Sequence, residues 1–237
     1  MGRNRIFRVM KIIFKLKDTL QVFRLGVTSN EKISSSKAVD IVQSYTFSRK
    51  QFELDAKGMK EFFSVADTNC LDCPFNEFGK CYTHKFNQYV GFKSMLKSIK
   101  KEYPTWDDLP TEIPTDRLVD MARDKYVRFG TYGEPSLHPF DVVSMMVSVA
   151  KSHTGYTHQW DKDDKWNQLF MASTHNLFDV NKAKNKGWRS FAVTEDPIEG
   201  LVNCPASAES GKKTSCDVCN LCAGASKKAK DIYILKH

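Results

Sequence analysis

Hydrophobic and polar residues alternate along "MKIIFKLK" (residues 10–17), the two-residue period of a strand with one face covered. "SYTFSRKQFEL" (44–54) reads as a hairpin or edge strand. The period lengthens in "YVGFKSMLKSIKK" (89–101), where apolar positions recur at helical spacing. A proline-rich connector, "YPTWDDLPTEIPT", follows, and Thr115 or Asp116 is placed to cap a short helix, "DRLVDMARD". From there the period switches repeatedly. "KYVRFG" (125–130) predicts a strand. "PFDVVSMMVSVAKS" (139–152) predicts a helix with Pro139 in its first turn. "HTGYTH" (153–158) and "NQLFMAS" (167–173) predict short strands. "LFDVNKAKNKG" (177–187) predicts a helix stopped by Gly187. "WRSFAVTE" (188–195) and the tail "DIYIL" (231–235) predict two further strands.

Strands alternating with helices in this way predict an α/β fold built on parallel strands. The units are too few for an eight-fold barrel, so the expected architecture is a partial (β/α) barrel with Cys-rich cluster-binding loops. The chain divides into an N-terminal strand and mixed segment (1–60), a barrel core with the first cysteine loop (61–200), and a cysteine-rich C-terminal segment with a final strand (201–237). In such sheets ligands sit beyond the carboxyl ends of the strands. "GTYGEP", "THQW", "STHN" and "TEDP" each follow a predicted strand, which directs His158, His175, Glu195 and Asp196 towards one mouth. Singly, each also fits a helix cap or a satisfied surface group.

Composition narrows the class. Hydrophobic residues are 41% of 237 and charged residues 27%, as in ordinary soluble domains. No stretch approaches the roughly 20 apolar residues of a membrane helix, so no membrane partner is expected. The basic, apolar N-terminus is interrupted by Lys11, Lys15 and Lys17 and lacks a signal-peptide core. Met10 offers an alternative start that would leave residues 1–9 dispensable. The net charge of +8 fits either a solvated basic surface or a nucleic-acid or nucleotide partner. Lysines gather at 97, 100 and 101, at 182, 184 and 186, and at 227, 228 and 230.

Seven cysteines, an odd number without an export signal, predict reduced thiols in a cytoplasm. Cys204, Cys216, Cys219 and Cys222 follow the pattern C-x11-C-x2-C-x2-C. Zinc sites more often use two separated C-x2-C pairs, and a C-x2-C-x2-C run is more typical of iron–sulfur ligation. Cys70, Cys73 and Cys81 follow C-x2-C-x7-C, with His84 three residues on. Including His84 gives a Cys3His zinc site. Omitting it gives three thiolates, and a cluster so held keeps one iron open to a ligand. His138, His153, His158 and His175 are not at the i, i+4 spacing of a helical metallohydrolase motif.

Three early cysteines, the loop "RFGTYGEPSLHP" (128–139) after a strand, and four late cysteines resemble the radical S-adenosylmethionine superfamily. The resemblance implies a partial (β/α) barrel carrying a 4Fe–4S cluster on Cys70, Cys73 and Cys81. It implies that Gly133, Glu134 and Pro135 bind S-adenosylmethionine, with Glu134 accepting hydrogen bonds from the methionine ammonium. It implies a second cluster on Cys204, Cys216, Cys219 and Cys222, an electron donor, and a small-molecule or nucleic-acid substrate. The chain departs from the usual C-x3-C-x2-C spacing and has Tyr132 where a second glycine is common. It also resembles phage-encoded, Cys-rich proteins of unassigned function through "SNEKIS", "CPF…CY", "GWRSFAV" and "CPAS…CDVCNLCAG". That likeness implies the host cell cytoplasm. The alternative from a different class is a non-catalytic α/β protein, stapled by zinc or iron–sulfur, that binds nucleic acid or a protein partner.

Overall fold

The computed structural model describes residues 10–27 and 40–236; the proposed dispensable extension (1–9) and "SNEKIS" (29–34) lie outside them. Among the described residues the chain is a mixed α/β protein with two five-stranded sheets. β1 (Met10–Leu16), β2 (Thr19–Val27) and β3 (Asp40–Ser48) form an antiparallel meander. β4 (Tyr126–Tyr132) and β5 (Ser152–Thr154) extend it in parallel. The second sheet, in the order β6–β7–β8–β10–β9, is parallel throughout. Its members are β6 (Tyr156–Thr157), β7 (Met171–Thr174), β8 (Ser190–Thr194), β9 (Val202–Asn203) and β10 (Ile232–Leu235).

β5 and β6 are one chain direction broken at Gly155. The first half pairs with β4 and the second with β7, so Gly155 joins the two sheets. A Cβ there would lie 2.4 Å from Phe170 Cδ1, so only glycine lets the Phe170 ring pass.

The helices are α1 (Arg49–Glu53), α2 (Met59–Ser64), α3 (Asp67–Cys70), α4 (Phe86–Lys100), α5 (Thr115–Ala122), α6 (Phe140–Val149), α7 (Leu177–Asn185) and α8 (Cys216–Cys219). Strand alternation sorts them by face. Val42, Val127 and Phe129 pack with Leu118 and Met121 of α5, Val142, Val143 and Met146 of α6, and Ala183 of α7 in one core. Ile41 and Tyr126, one residue out of step, point to the opposite face and meet Cys216 of α8. On that second face, beside β1–β3, Tyr45 and Phe47 pack with Phe92, Leu96 and Ile99 of α4.

Several expectations change. Residues 44–54 are not a hairpin or an edge. They end the internal strand β3 and turn into α1, because Ser48 accepts from Gln51 N while Gln51 Oε1 accepts from Ser48 N. α5 starts after Pro114 without a side-chain cap, so neither Thr115 nor Asp116 caps it. Pro139 precedes α6 as its N-cap rather than occupying the first turn. Residues 164–168 are a 3-10 turn, and β7 begins only at Met171. No helix among the described residues is long and apolar enough to cross a membrane.

Candidate functional site

The first cysteine loop leaves α3, directly after the connection from β3, and lies across the carboxyl ends of the parallel strands. Cys73 Sγ is 3.7 Å from Nε2 of His158, the residue after β6. The Phe75 ring meets the His175 ring edge-on at 4.8 Å, and His175 follows β7. The His158 and His175 rings stack 5.4 Å apart, 17° from parallel. Asp72 is ion-paired with Lys162, which ties the loop to the chain beyond β6. The expected meeting of His158 and His175 at one mouth is therefore present. Glu195 and Asp196, also expected there, are exposed instead, with Glu195 3.9 Å from Lys236.

The loop after β4 is packed into the base of this arrangement. Gly133 has φ +79°, and a Cβ on it would lie 2.7 Å from Thr46 O and 3.1 Å from Asn69 O. Glu134 N donates to Asn69 O at 2.7 Å, and Asn69 Nδ2 donates to Thr46 O at 2.9 Å. Asn69, the residue before Cys70, thus bridges the ends of β3 and β4. Pro135 closes over Gly130, where a Cβ would meet its Cδ at 2.9 Å.

The Glu134 side chain is 3% exposed. Its Oε1 accepts from Ser136 N and its Oε2 from His158 N, each at 3.0 Å. Burial raises its pKa, opposed by hydrogen bonds from Thr157, His158 and Ser136. A carboxylate has about four acceptor positions, so the two backbone bonds and the Thr157 hydroxyl leave little capacity for a ligand.

His84 is engaged through its ring faces and its Nδ1. Its ring packs 4.2 Å from Phe63 and 5.8 Å from Phe78, and its Nδ1 accepts from Gly79 N at 3.2 Å. His138 and His153 are buried in the core. His138 Nε2 is 2.8 Å from Ser44 Oγ, and His153 Nε2 is 2.8 Å from Leu169 O.

The C-terminal cysteines sit on the second sheet's face opposite α7. Cys222 packs with Met171 and Ile232, flanked by Cys204, Tyr156 and Phe191. A cavity of about 20 Å³ is lined by Cys204, Cys216, Cys219, Cys222, Tyr156 and Ile232. Burial pushes the Cys216 thiol up to about 11 and the Cys73 thiol up to about 12; it also raises Cys70, Cys204 and Cys222. Neighbouring thiols add to the shift at Cys70 and Cys222, so ligation at either site would release protons. Among the described residues no three Cys, His, Asp or Glu side chains converge as a single metal ion requires. A tetrahedral zinc–thiolate site would bring its sulfurs to about 3.8 Å from one another. The donor set around the cavity is all thiol, the set that iron–sulfur centres use.

Sequence reasoning missed what holds this segment. Arg189, 7% exposed, donates from Nη1 to Leu221 O and Gly224 O, from Nε to Ala229 O and from Nη2 to Lys230 O, at 2.6–3.2 Å. Its position beside Trp188 at the start of a strand carries no sequence signal for four carbonyl partners 32–41 residues away. No family model, curated protein or solved structure matches the chain.

Proposed function

We propose that the chain is an iron–sulfur protein of the radical S-adenosylmethionine type, with a partial (β/α) barrel formed by its parallel strands. Cys70, Cys73 and Cys81 would hold the first 4Fe–4S cluster, and Cys204, Cys216, Cys219 and Cys222 the second. S-adenosylmethionine would lie against Gly133–Pro135, and the substrate would be a nucleic acid or nucleoside. One observation carries this reading: a three-cysteine loop following β3 leans over the carboxyl ends of β4, β6 and β7, next to the loop containing Glu134. When bound, a reduced cluster supplies the one electron that splits the cofactor's carbon–sulfur bond into methionine and a 5′-deoxyadenosyl radical.

The chain's own part is placement. The Asn69 bridge fixes the first cysteine relative to the β4 loop. Glu134 orients His158 through its backbone N–H, and His158 in turn stands against Cys73. The apolar ring of Phe75 covers His175 and excludes water from that side. Reduced thiols fit a cytoplasm, the host cell's if the chain is phage-encoded, with an electron donor supplied there.

The test is anaerobic reconstitution with iron counting and product analysis. About eight irons per chain and 5′-deoxyadenosine on adding dithionite are expected. Four irons or fewer, or no 5′-deoxyadenosine, would sink the reading. A second reading is a non-catalytic protein stapled by zinc or iron–sulfur, and it is favoured by the engagement of both Glu134 oxygens within the protein. It expects, in its zinc form, colourless aerobic protein with about two zinc ions.

A further inference from the structure

Arg128 stands in the middle of β4 on the face opposite α5 and α6. In register it lies between Gln43 of β3 and Thr154 of β5, and Arg24 of β2 pairs with Gln43 on the other side. The row therefore reads Arg24–Gln43–Arg128–Thr154 across four strands. Tyr82, Tyr126, Tyr156 and Cys216 stand within electrostatic reach of the Arg128 side chain, which remains partly open to solvent. Tyr45 stands within electrostatic reach of Arg24, Arg128 and Tyr82. The one hydrogen bond made by the Arg128 guanidinium among the described residues is long, 3.5 Å from Nη2 to Tyr82 Oη. Among the described residues no carboxylate forms an ion pair with it or shifts its electrostatics. A guanidinium carries five donors in a planar fork suited to phosphate or carboxylate, and holding it unpaired costs free energy that an anion would recover.

Tyr82 links this cation to a second feature. The loop and the start of α4 place Phe78, Tyr82 and Phe86 on the surface at 37%, 62% and 64% exposure. Exposed Lys85 stands between Tyr82 and Phe86, and Lys80, ion-paired with Glu77, between Phe78 and Tyr82. Phe78 is braced from beneath by Phe63 and His84. Exposed aromatic rings interleaved with cations, leading to a guanidinium without a carboxylate partner among the described residues, match the needs of a flexible polyanion with flat bases. Bases stack on the rings and phosphates meet the cations. A duplex hides those base faces.

We propose that this surface binds single-stranded nucleic acid, with a phosphate on Arg128, the adjacent base on Tyr82, and the strand continuing over Phe78, Lys85 and Phe86. This deepens the proposed function, and rests on it only in making the strand a substrate; the binding itself needs no radical chemistry.

The test is fluorescence anisotropy of the anaerobically reconstituted full chain with labelled 12-nucleotide DNA and RNA strands and the corresponding duplexes, across a salt series. Iron is counted on each sample. At least one of the two single strands should bind, and more tightly than its duplex. Tyr82→Ala should weaken it roughly 5- to 100-fold. Arg128→Gln should weaken it and reduce the salt slope by about 0.7, and Arg128→Lys should restore the slope. Thermal unfolding confirms that each variant is folded; should Arg128→Gln fail to fold, Tyr82→Ala and a Phe86→Ala variant, both exposed, carry the test. Binding equal to the duplex, absent binding, or unchanged binding in Tyr82→Ala and Phe86→Ala would overturn the proposal whatever the iron count. Loss of iron in Arg128→Gln without strand binding by the unaltered protein would also overturn it, making Arg128 a counter-charge to the cysteines. A failed product assay with intact strand binding would refute the radical reading alone.

Discussion

Gly133→Ala is the sharpest single perturbation of the candidate site. The new methyl would meet Thr46 O at 2.7 Å, Thr46 Cβ at 2.8 Å and Asn69 O at 3.1 Å, two of the three being backbone atoms that cannot swing aside. The left-handed backbone at φ +79° adds about 1–2 kcal/mol for a residue with a Cβ. Overpacking of this kind adds a further 1–3 kcal/mol or so. The expected loss is about 3 kcal/mol, or roughly 6–12 °C in Tm for a chain of this size. Gly200→Ala is the matched control, with φ +85° and nothing within 4 Å of the added methyl. It isolates the backbone part and should cost about 1–2 kcal/mol. Equilibrium urea unfolding of the two variants measures the difference. Because the displaced atoms belong to Asn69 and the end of β3, Gly133→Ala should also lower iron uptake, with Cys70 moved first. A loss no larger than that of Gly200→Ala would refute the claim that the three segments are jammed together at this point.

Arg189→Ala should release the segment 216–231, seen as faster amide exchange there while β1–β4 stay protected, with a stability loss of about 3 kcal/mol; uniform exchange across both sheets would contradict the assigned role. Burial pushes the His138 imidazole down to about 3, so the unfolded chain binds its proton more readily. Its stabilising effect is complete above about pH 6.5 and is lost as pH falls towards 3, amounting to about 2 kcal/mol by pH 5; urea midpoints of His138→Gln should show a correspondingly flatter acid limb, and parallel limbs would refute this. His84→Ala should leave iron per chain unchanged while costing about 1–2 kcal/mol of packing between Phe63 and Phe78; loss of half the iron would make His84 a ligand of the first cluster.

The parallel strands and their helices were legible because each carries its own period. "KYVRFG", "WRSFAV" and "DIYIL" alternate or run apolar between turn residues, and β4, β8 and β10 stand there. Residues 19–27 were passed over although they form the central strand of the meander. Leu20 and Val22 serve one core and Phe23 the other, so both faces are apolar and the alternation is blurred. The break at Gly155 was hidden because "HTGYTH" reads as one strand, and which neighbour each half pairs with is a long-range matter. At the site, the cysteines announced themselves by spacing and His158 and His175 by following strands. Asn69, Arg128 and Arg189 did not, since an asparagine or arginine looks alike whether it faces water or bridges distant carbonyls.

The crossing from one sheet to the other at Gly155 gives the first cysteine loop two supports. The loop is rooted in one sheet at β3 and rests on the other through Cys73–His158 and Phe75–His175. It spans the seam like a guy rope, and the only covalent crossing beneath it is a residue without a side chain. A ligand held by the loop would therefore be supported from both sheets, with the 3.7 Å approach of Cys73 to His158 as one contact with the second.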